Sequence, residues 1–298
     1  MKKFEIYQRK NYKNLFYLQN ILEDFYYFNS LNENDECIRN HLIRKIGTKE
    51  FRKTNKYVNY KVKSIFNSLE EFFQSCIDNK MFVTFVLDET EISGIIHDIY
   101  EEIIVLDVFE FSAEQNGVSL IHLFDVNEIM WNGMHEKKLE KYSVYNKEFY
   151  NTNEILNICS KGQELCEVYR QGNVNMFLVG LSKKLDDNYF LIETIDLIGN
   201  PNGYVLIHQE LIDYFCFKTK YLNIYQNITS KNNWTKFNSF LEYLKESRQS
   251  FYFSDYKGRE YYNVTLKDYN DKYFFFTKGK KNHHKLICHI DVIDARRK

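Results

Sequence analysis

Residues 285–297 read "KLICHIDVIDARR", and this stretch is written twice more in looser form. Residues 117–131 read "GVSLIHLFDVNEIMW", and residues 203–215 read "GYVLIHQELIDYF". In each, an apolar β-type run reaches a histidine (His122, His208 or His289), takes a short polar step, and continues through isoleucine into a last short run. A helical signal lies upstream of each. "SLEEFFQSCID" (68–78) puts Leu69, Phe72, Phe73, Cys76 and Ile77 on one helical face, and Ser68 with Glu71 makes a capping box. "NEILNICSKGQ" (153–163) offers Ile155, Ile158 and Cys159, and "KFNSFLEYLKES" (236–247) offers Phe237, Phe240, Leu241 and Leu244. From Leu69 to His122 is 53 positions, from Ile155 to His208 is 53, and from Phe237 to His289 is 52. Matching pattern at matching spacing marks a domain-sized tandem repeat.

Between helix and histidine each copy reads as short strands. The first gives "MFVTFVL", "EISGIIHDI" and "IIVLDVF", the second "CEVYRQ", "VNMFLVGLSK" and "YFLIETIDL", the third "SFYFSDY", "REYYNVTLKD" and "KYFFFTKG". Gly172, Gly203 and Gly258 sit where turns are needed, and Gly94 inside a strand predicts a bend or a close backbone approach. One helix and five short strands are too few for a sandwich and suit a small, partly open barrel. The expected architecture is α+β, mostly β: an N-terminal helical basic segment (1–67), then three tandem helix-plus-five-strand small β-barrels at 68–145, 146–230 and 231–298. Phe72, Val83, Phe85, Ile95 and Leu106 fall on the inward phase and are the expected core of the first.

The helix, the strand order and above all "VTFVLDETEISGIIHDIYEEIIVLD" (83–107) resemble the Sm-like (LSm) small β-barrel, best over 68–132, less over 153–217 and weakly over 236–297. The resemblance implies a fold with an N-terminal helix, a bent glycine-containing second strand and a short fifth strand. It also implies a family whose members commonly form rings and bind RNA. The family's RNA-binding loops are not matched: "HDIYEE" (97–102) and "EQNGVS" (114–119) carry acids where the family has asparagine and arginine. No family site residue carries over. SH3-like or Tudor-like barrels fit the strand count almost as well.

Composition bounds the function classes. The 24 tyrosines and 25 phenylalanines, beside one proline, could offer stacking platforms, but such a bias more often reflects an AT-rich coding sequence and ordinary core. Six cysteines without a C-x-x-C pair read as reduced thiols and exclude a zinc ribbon. No apolar h-region or membrane-length run occurs, so the expectation is a cytoplasmic protein with no membrane role. The net charge of −1 hides a segregation. Residues 1–67 hold fourteen Lys/Arg against seven acids (+7), 68–145 four against sixteen (−12), 146–230 seven against ten (−3), and 231–298 fifteen against eight (+7). Basic ends either bind partners or pair with the chain's own acidic middle.

Candidate chemistry is sparse. The acids Asp88, Glu89, Glu91, Glu101 and Glu102 lack the loop spacing of a calcium site and read as a solvated face. His283, His284, Cys288 and His289 are possible soft ligands, but in a strand His284 and Cys288 share a face that His289 leaves. No nucleophile recurs with the repeated histidines, and no phosphate loop or nucleophile elbow occurs, so neither an enzyme, a cofactor nor a metal is expected. The most specific binding candidate is the basic run 39–63, where Arg39, Arg44, Lys45, Lys49, Arg52 and Lys53 would meet phosphates and Tyr57 and Tyr60 would stack on bases. The alternative is that this run packs on the acidic 68–145. The expected function is a non-enzymatic binding or scaffold protein with a protein partner; the other reading is an RNA- or DNA-binding protein that uses 39–63 and the basic third repeat.

Overall fold

The N-terminal segment is built of strands. The computed structural model describes residues 2–10, 15–22, 24–31, 37–45, 51–60, 66–88, 90–145, 157, 161–170, 177–225 and 236–296, side chains at 2–5, 15, 17, 37, 38, 55–60, 163 and 289 excepted. The chain divides into two compact units, Met1–Phe149 and Tyr150–Lys298. The first unit opens with β1 (Lys2–Arg9), β2 (Leu15–Leu22), β3 (Phe25–Leu31), β4 (Cys37–Arg44) and β5 (Phe51–Tyr60). The expected helical segment at 1–67 is therefore corrected. The aromatic run "FYYFNSL" of β3 suits a pleated surface, and it is covered on both faces, with Phe25, Tyr27, Phe28 and Leu31 all buried.

The rest of this unit follows the expected order of elements: α1 (Leu69–Asp78), β6 (Phe82–Val86), β7 (Glu91–Tyr100), β8 (Ile103–Phe109), β9 (Gln115–His122), β10 (Glu128–Trp131) and α2 (Met134–Tyr142). The Ser68 hydroxyl accepts from the Glu71 amide at 3.0 Å, while the Glu71 carboxylate reaches back to the Asn67 amide at 2.8 Å. Leu69, Phe72, Phe73 and Cys76 are the buried stripe of α1. Phe72, Val83, Phe85 and Leu106 are buried as expected; Ile95 is buried too, but register pairs it with Phe82 and it packs with Phe82, Phe109 and Leu139 on the other face of the sheet.

The second unit holds β11 (Gly162–Arg170), β12 (Leu178–Lys184), β13 (Tyr189–Ile195), β14 (Pro201–His208), β15 (Ile212–Phe217), α3 (Phe237–Ser247), β16 (Ser250–Asp255), β17 (Glu260–Tyr269), β18 (Tyr273–Lys278), β19 (Lys281–Leu286) and β20 (Ile290–Arg296). The helix expected at 153–163 lies for the most part outside the described residues.

Every described pairing is antiparallel, and one connectivity recurs four times. In β1–β5, β6–β10, β11–β15 and β16–β20 alike, the first four strands form a meander and the fifth returns to the first. The runs do not stand alone as barrels. β4 pairs with β10 of the next run, and β14 pairs with β20. Each unit is thus an open antiparallel sheet, ordered β9-β8-β7-β6-β10-β4-β3-β2-β1-β5 in the first and β15-β11-β12-β13-β14-β20-β16-β17-β18-β19 in the second.

This overturns the expected N-terminal helix with three helix-plus-five-strand barrels. The physical reason is the edges. A five-strand run leaves unpaired amides and carbonyls along its outer strands. Joining fourth strand to fifth strand of a neighbouring run satisfies them, with no need to close each run on itself.

The histidine alignment also shifts. Short 3-10 turns at Leu123–Asp125, Gln209–Leu211 and Ile287–His289 precede each last strand. His122 and His208 stand just before their turns, but in the last run Leu286 occupies that place and His289 ends the turn. Gly94 is required by contact. A Cβ there would stand 2.1 Å from the Asp107 carbonyl oxygen, and one at Gly180 would stand 2.2 Å from that of Glu193. In each case the second strand lies so close against the third that only glycine fits.

Candidate functional site

Charge collects where β4 meets β10. Glu128 opens β10, and strand register sets it against Ile43 of β4 and Val86 of β6. Its carboxylate takes Arg9 Nη1 at 2.7 Å on one oxygen and lies 2.5 Å from His41 Nδ1 on the other. His41 Nε2 lies 2.9 Å from Ser30 Oγ. A second chain of contacts runs alongside. Glu136 on α2 pairs with Arg39, accepts from Thr84 Oγ1 at 2.6 Å, and accepts from the Gly133 amide at 2.8 Å. Thr84 then meets Ser93 Oγ at 2.9 Å, and Ser93 meets His135 Nε2 at 3.0 Å.

The order Ser30–His41–Glu128 has the hydrogen-bond sequence of a nucleophile, base and acid. Its hydrogen bonding and burial speak against that use. The Ser30 hydroxyl also has the Arg39 carbonyl at 3.2 Å, a second acceptor that competes with His41 for its one proton. Ser30, His41 and Glu128 are 2%, 6% and 4% exposed, which leaves no room for a substrate. Burial alone would raise the Glu128 carboxyl, but the His41 hydrogen bond and the charges of His41 and Arg9 outweigh it and hold it below the ordinary carboxylate range. Glu136 is likewise lowered: burial opposes, and the Thr84 hydrogen bond and the Arg39 guanidinium prevail. These groups clamp two runs together.

The clamp answers part of the charge question. Arg39 is engaged by Glu136, and Arg44 donates from Nε to the Val126 carbonyl at 2.9 Å and from Nη2 to that of Leu123. Arg44 also lies over the Phe25 ring at 5.0 Å. Both arginines are thus held against the acidic stretch that follows. Lys45 is exposed, and Arg52 and Lys53 are exposed on β5. Lys49 lies outside the described residues, as do the side chains of Tyr57 and Tyr60. The seam itself, with His41, Glu128, Glu136 and Thr84 at its centre, escaped sequence reasoning. Its only trace there was the +7 against −12 asymmetry of neighbouring segments.

The other candidates do not assemble. Asp88 accepts from Asn127 Nδ2 at 2.9 Å, whereas Glu91, Glu101 and Glu102 are exposed and Glu89 lies outside the described residues. His122 lies 3.8 Å from Glu102 with its ring stacked on Phe124. His283 stacks on Phe276 and His284 meets Tyr273 edge-on, while Cys288 falls in the 3-10 turn beyond the strand. Among the described residues, no three His, Cys, Asp or Glu side chains are grouped to hold a metal ion. Burial pushes the Cys166 thiol up to about 12, so it is no nucleophile near neutral pH. In the second unit Asp255, fully buried, takes Lys285 Nζ at 2.9 Å and Arg259 Nη2 at 2.9 Å, fastening β19 to the β16–β17 turn.

No helix among the described residues is long and apolar enough to cross a membrane. No protein-family model matches the chain, and a search of curated proteins finds no match.

Proposed function

We propose that this chain is a non-enzymatic binding or scaffold protein whose partner is another protein, added as a strand to the outer edge of a sheet. The observation that carries this reading is the repeated joint. The molecule couples its own runs by laying a fifth strand along a fourth, at β4·β10 and again at β14·β20. Among the described strands β5 pairs with β1 alone and β19 with β18 alone, which leaves one edge of a fifth strand and one edge of a fourth strand open. Strand addition gives affinity through main-chain hydrogen bonds and needs no reactive group. Exposed apolar side chains support a protein ligand too: Leu197 and Ile198 at the β13–β14 turn are each 82% exposed, and Met134 at the start of α2 is 88% exposed. The resemblance to Sm-like modules stays part of this proposal, and the shared strand connectivity of the four runs supports it.

The nucleic-acid reading of 39–63 is the weaker one, because Arg39 and Arg44 are occupied within the fold.

β19 supplies the test. Gly279, at φ +60°, and Lys280 make the two-residue turn between Lys278 and Lys281, so ladder bonds to β18 alternate from that pair onward. The amides of Asn282, His284 and Leu286 then point away from β18. Asn282→Pro should block strand addition and spare the hairpin, since proline lacks only the outward donor. Pull-downs from native cell extract, with nuclease treatment, should retain a protein on the wild type and lose at least tenfold on Asn282→Pro at unchanged melting temperature. Retention that nuclease abolishes, or that the proline leaves untouched, would contradict the proposal.

A further inference from the structure

The joints within the two units treat charge differently, and the open edge of β19 matches one of them. Arg44, His208 and Leu286 each stand opposite the first residue of the third strand of their run, Phe25, Tyr189 or Tyr273. Counting back from these, His41 of β4 corresponds to Val205 of β14 and to His283 of β19. Two positions further back, Arg39 corresponds to Gly203 and to Lys281. Both bases of β4 are met from the far side of the joint. Glu128 of β10 lies against His41, and Glu136 of the helix that follows pairs with Arg39. β14 has no base at either place, and there the strand laid along it neutralises its own acid: Arg296 Nε donates to Asp294 Oδ1 at 2.9 Å. A base on the fourth strand is thus answered by an acid arriving with the fifth.

β19 carries the β4 pattern without the answer. Lys281 and His283 are both exposed, and among the described residues neither is met by a carboxylate. Lys285 is taken by Asp255, and the strand, KNHHKL, holds no acid of its own. A second copy of the chain would bring the wrong strand. Among the described strands the fifth strand with an open edge is β5, FRKTNKYVNY, which has three bases and no acid, with Arg52 and Lys53 exposed. Laid along β19, it would set like charges against each other. Bases on an edge strand bar such self-pairing. They leave the outward amides of Asn282, His284 and Leu286 open to a strand of opposite charge.

We propose that the β19 edge accepts an acidic extended segment of another protein, with carboxylates in reach of Lys281 and His283. This rests on strand addition at β19 and names the chemistry of the added strand. Main-chain hydrogen bonds hold any strand alike, so selection falls to the side chains. Pairs across a ladder favour opposite charges and penalise like ones.

The test is fluorescence anisotropy on the full chain with labelled strand peptides, at low and high salt and at about pH 6, where imidazole gains its proton and glutamate stays ionised. One peptide alternates valine with glutamate. Two others carry glutamine or lysine in place of glutamate, and a fourth has the sequence of residues 51–60. At low salt the glutamate peptide should bind about 2- to 30-fold more tightly than the glutamine one, the lysine and 51–60 peptides more weakly still, and high salt should narrow the differences. Lys281→Gln combined with His283→Gln should remove the preference for glutamate and leave the glutamine peptide unaffected, whereas Asn282→Pro should lose both. Where circular dichroism shows that a variant fails to fold, the ranking of the four peptides on the wild type carries the test. Equal binding of the glutamate and glutamine peptides, both lost in Asn282→Pro, would overturn the choice of an acidic strand and leave strand addition standing. Glutamate binding that survives Asn282→Pro, or no binding by any peptide, would overturn strand addition at β19 together with this inference. Tightest binding by the 51–60 peptide would overturn it in favour of a second copy.

Discussion

Glu128→Ala lowers the unfolding free energy of the chain by about 3–5 kcal/mol, the cost of stranding buried charge when one partner of a buried pair is removed. Glu128 is the common partner of Arg9 and His41, and its side chain is 5% exposed, so water cannot replace it. Glu128→Gln keeps the shape and should cost less. The difference between wild type and Glu128→Gln also has a pH signature. Because the folded carboxyl is held below its ordinary value of 4.5, its contribution is complete above that value and lost as pH falls through the lowered one. The gap between the two proteins should therefore close in acid. Asp107, which burial raises despite its hydrogen bond from Tyr145, pulls the other way but cancels from this difference. Urea titrations at several pH values read both effects; a gap that widens below pH 4.5 contradicts the clamp.

Leu106→Ala is expected to cost about 2–5 kcal/mol, as a fully buried leucine replaced by a cavity does. The residue sits mid-strand in β8, where it is paired with Ile96 on one side and Ser119 on the other. Its Cγ is also among the atoms that a side chain at Gly94 would strike, at 2.9 Å. The β8 strand is covered on both faces: Ile104, Val105, Leu106 and Asp107 are all buried. A thermal or urea melt showing a loss below about 1 kcal/mol would mean that the strand collapses around the change or that its packing is misassigned.

What could be read from the sequence was whatever repeats along one element. The stripe Leu69, Phe72, Phe73 and Cys76 gave α1 its buried face, and Gly94 announced the close strand contact. Partners far apart along the chain left no such mark. His41 and Glu128 are 87 residues apart, and Arg39 and Glu136 are 97 apart. The joint they clamp is a matter of strand edges, which carry backbone groups common to every residue and so no side-chain pattern. That is why the sequence points to separate barrels where the two runs within each unit share a sheet. The N-terminal run was missed for a related reason: it has no α-helix among its described residues, and its strands mix lysine and arginine with aromatics, which masks alternation. Anchoring on His289 misplaced the last repeat by three positions, because Leu286 takes the structural place of His122 and His208.

The account turns on strands joined at their edges, and amide hydrogen exchange measures that directly. The amides of β4 and β10, and of β14 and β20, should be among the most protected in the protein, since both neighbours of each strand are supplied. Asn282, His284 and Leu286 on β19 should exchange quickly in the isolated chain and slow by at least tenfold when the captured partner is bound. Fast exchange across β4 and β10 would contradict the joint, and unchanged exchange at Asn282, His284 and Leu286 in the complex would contradict strand addition.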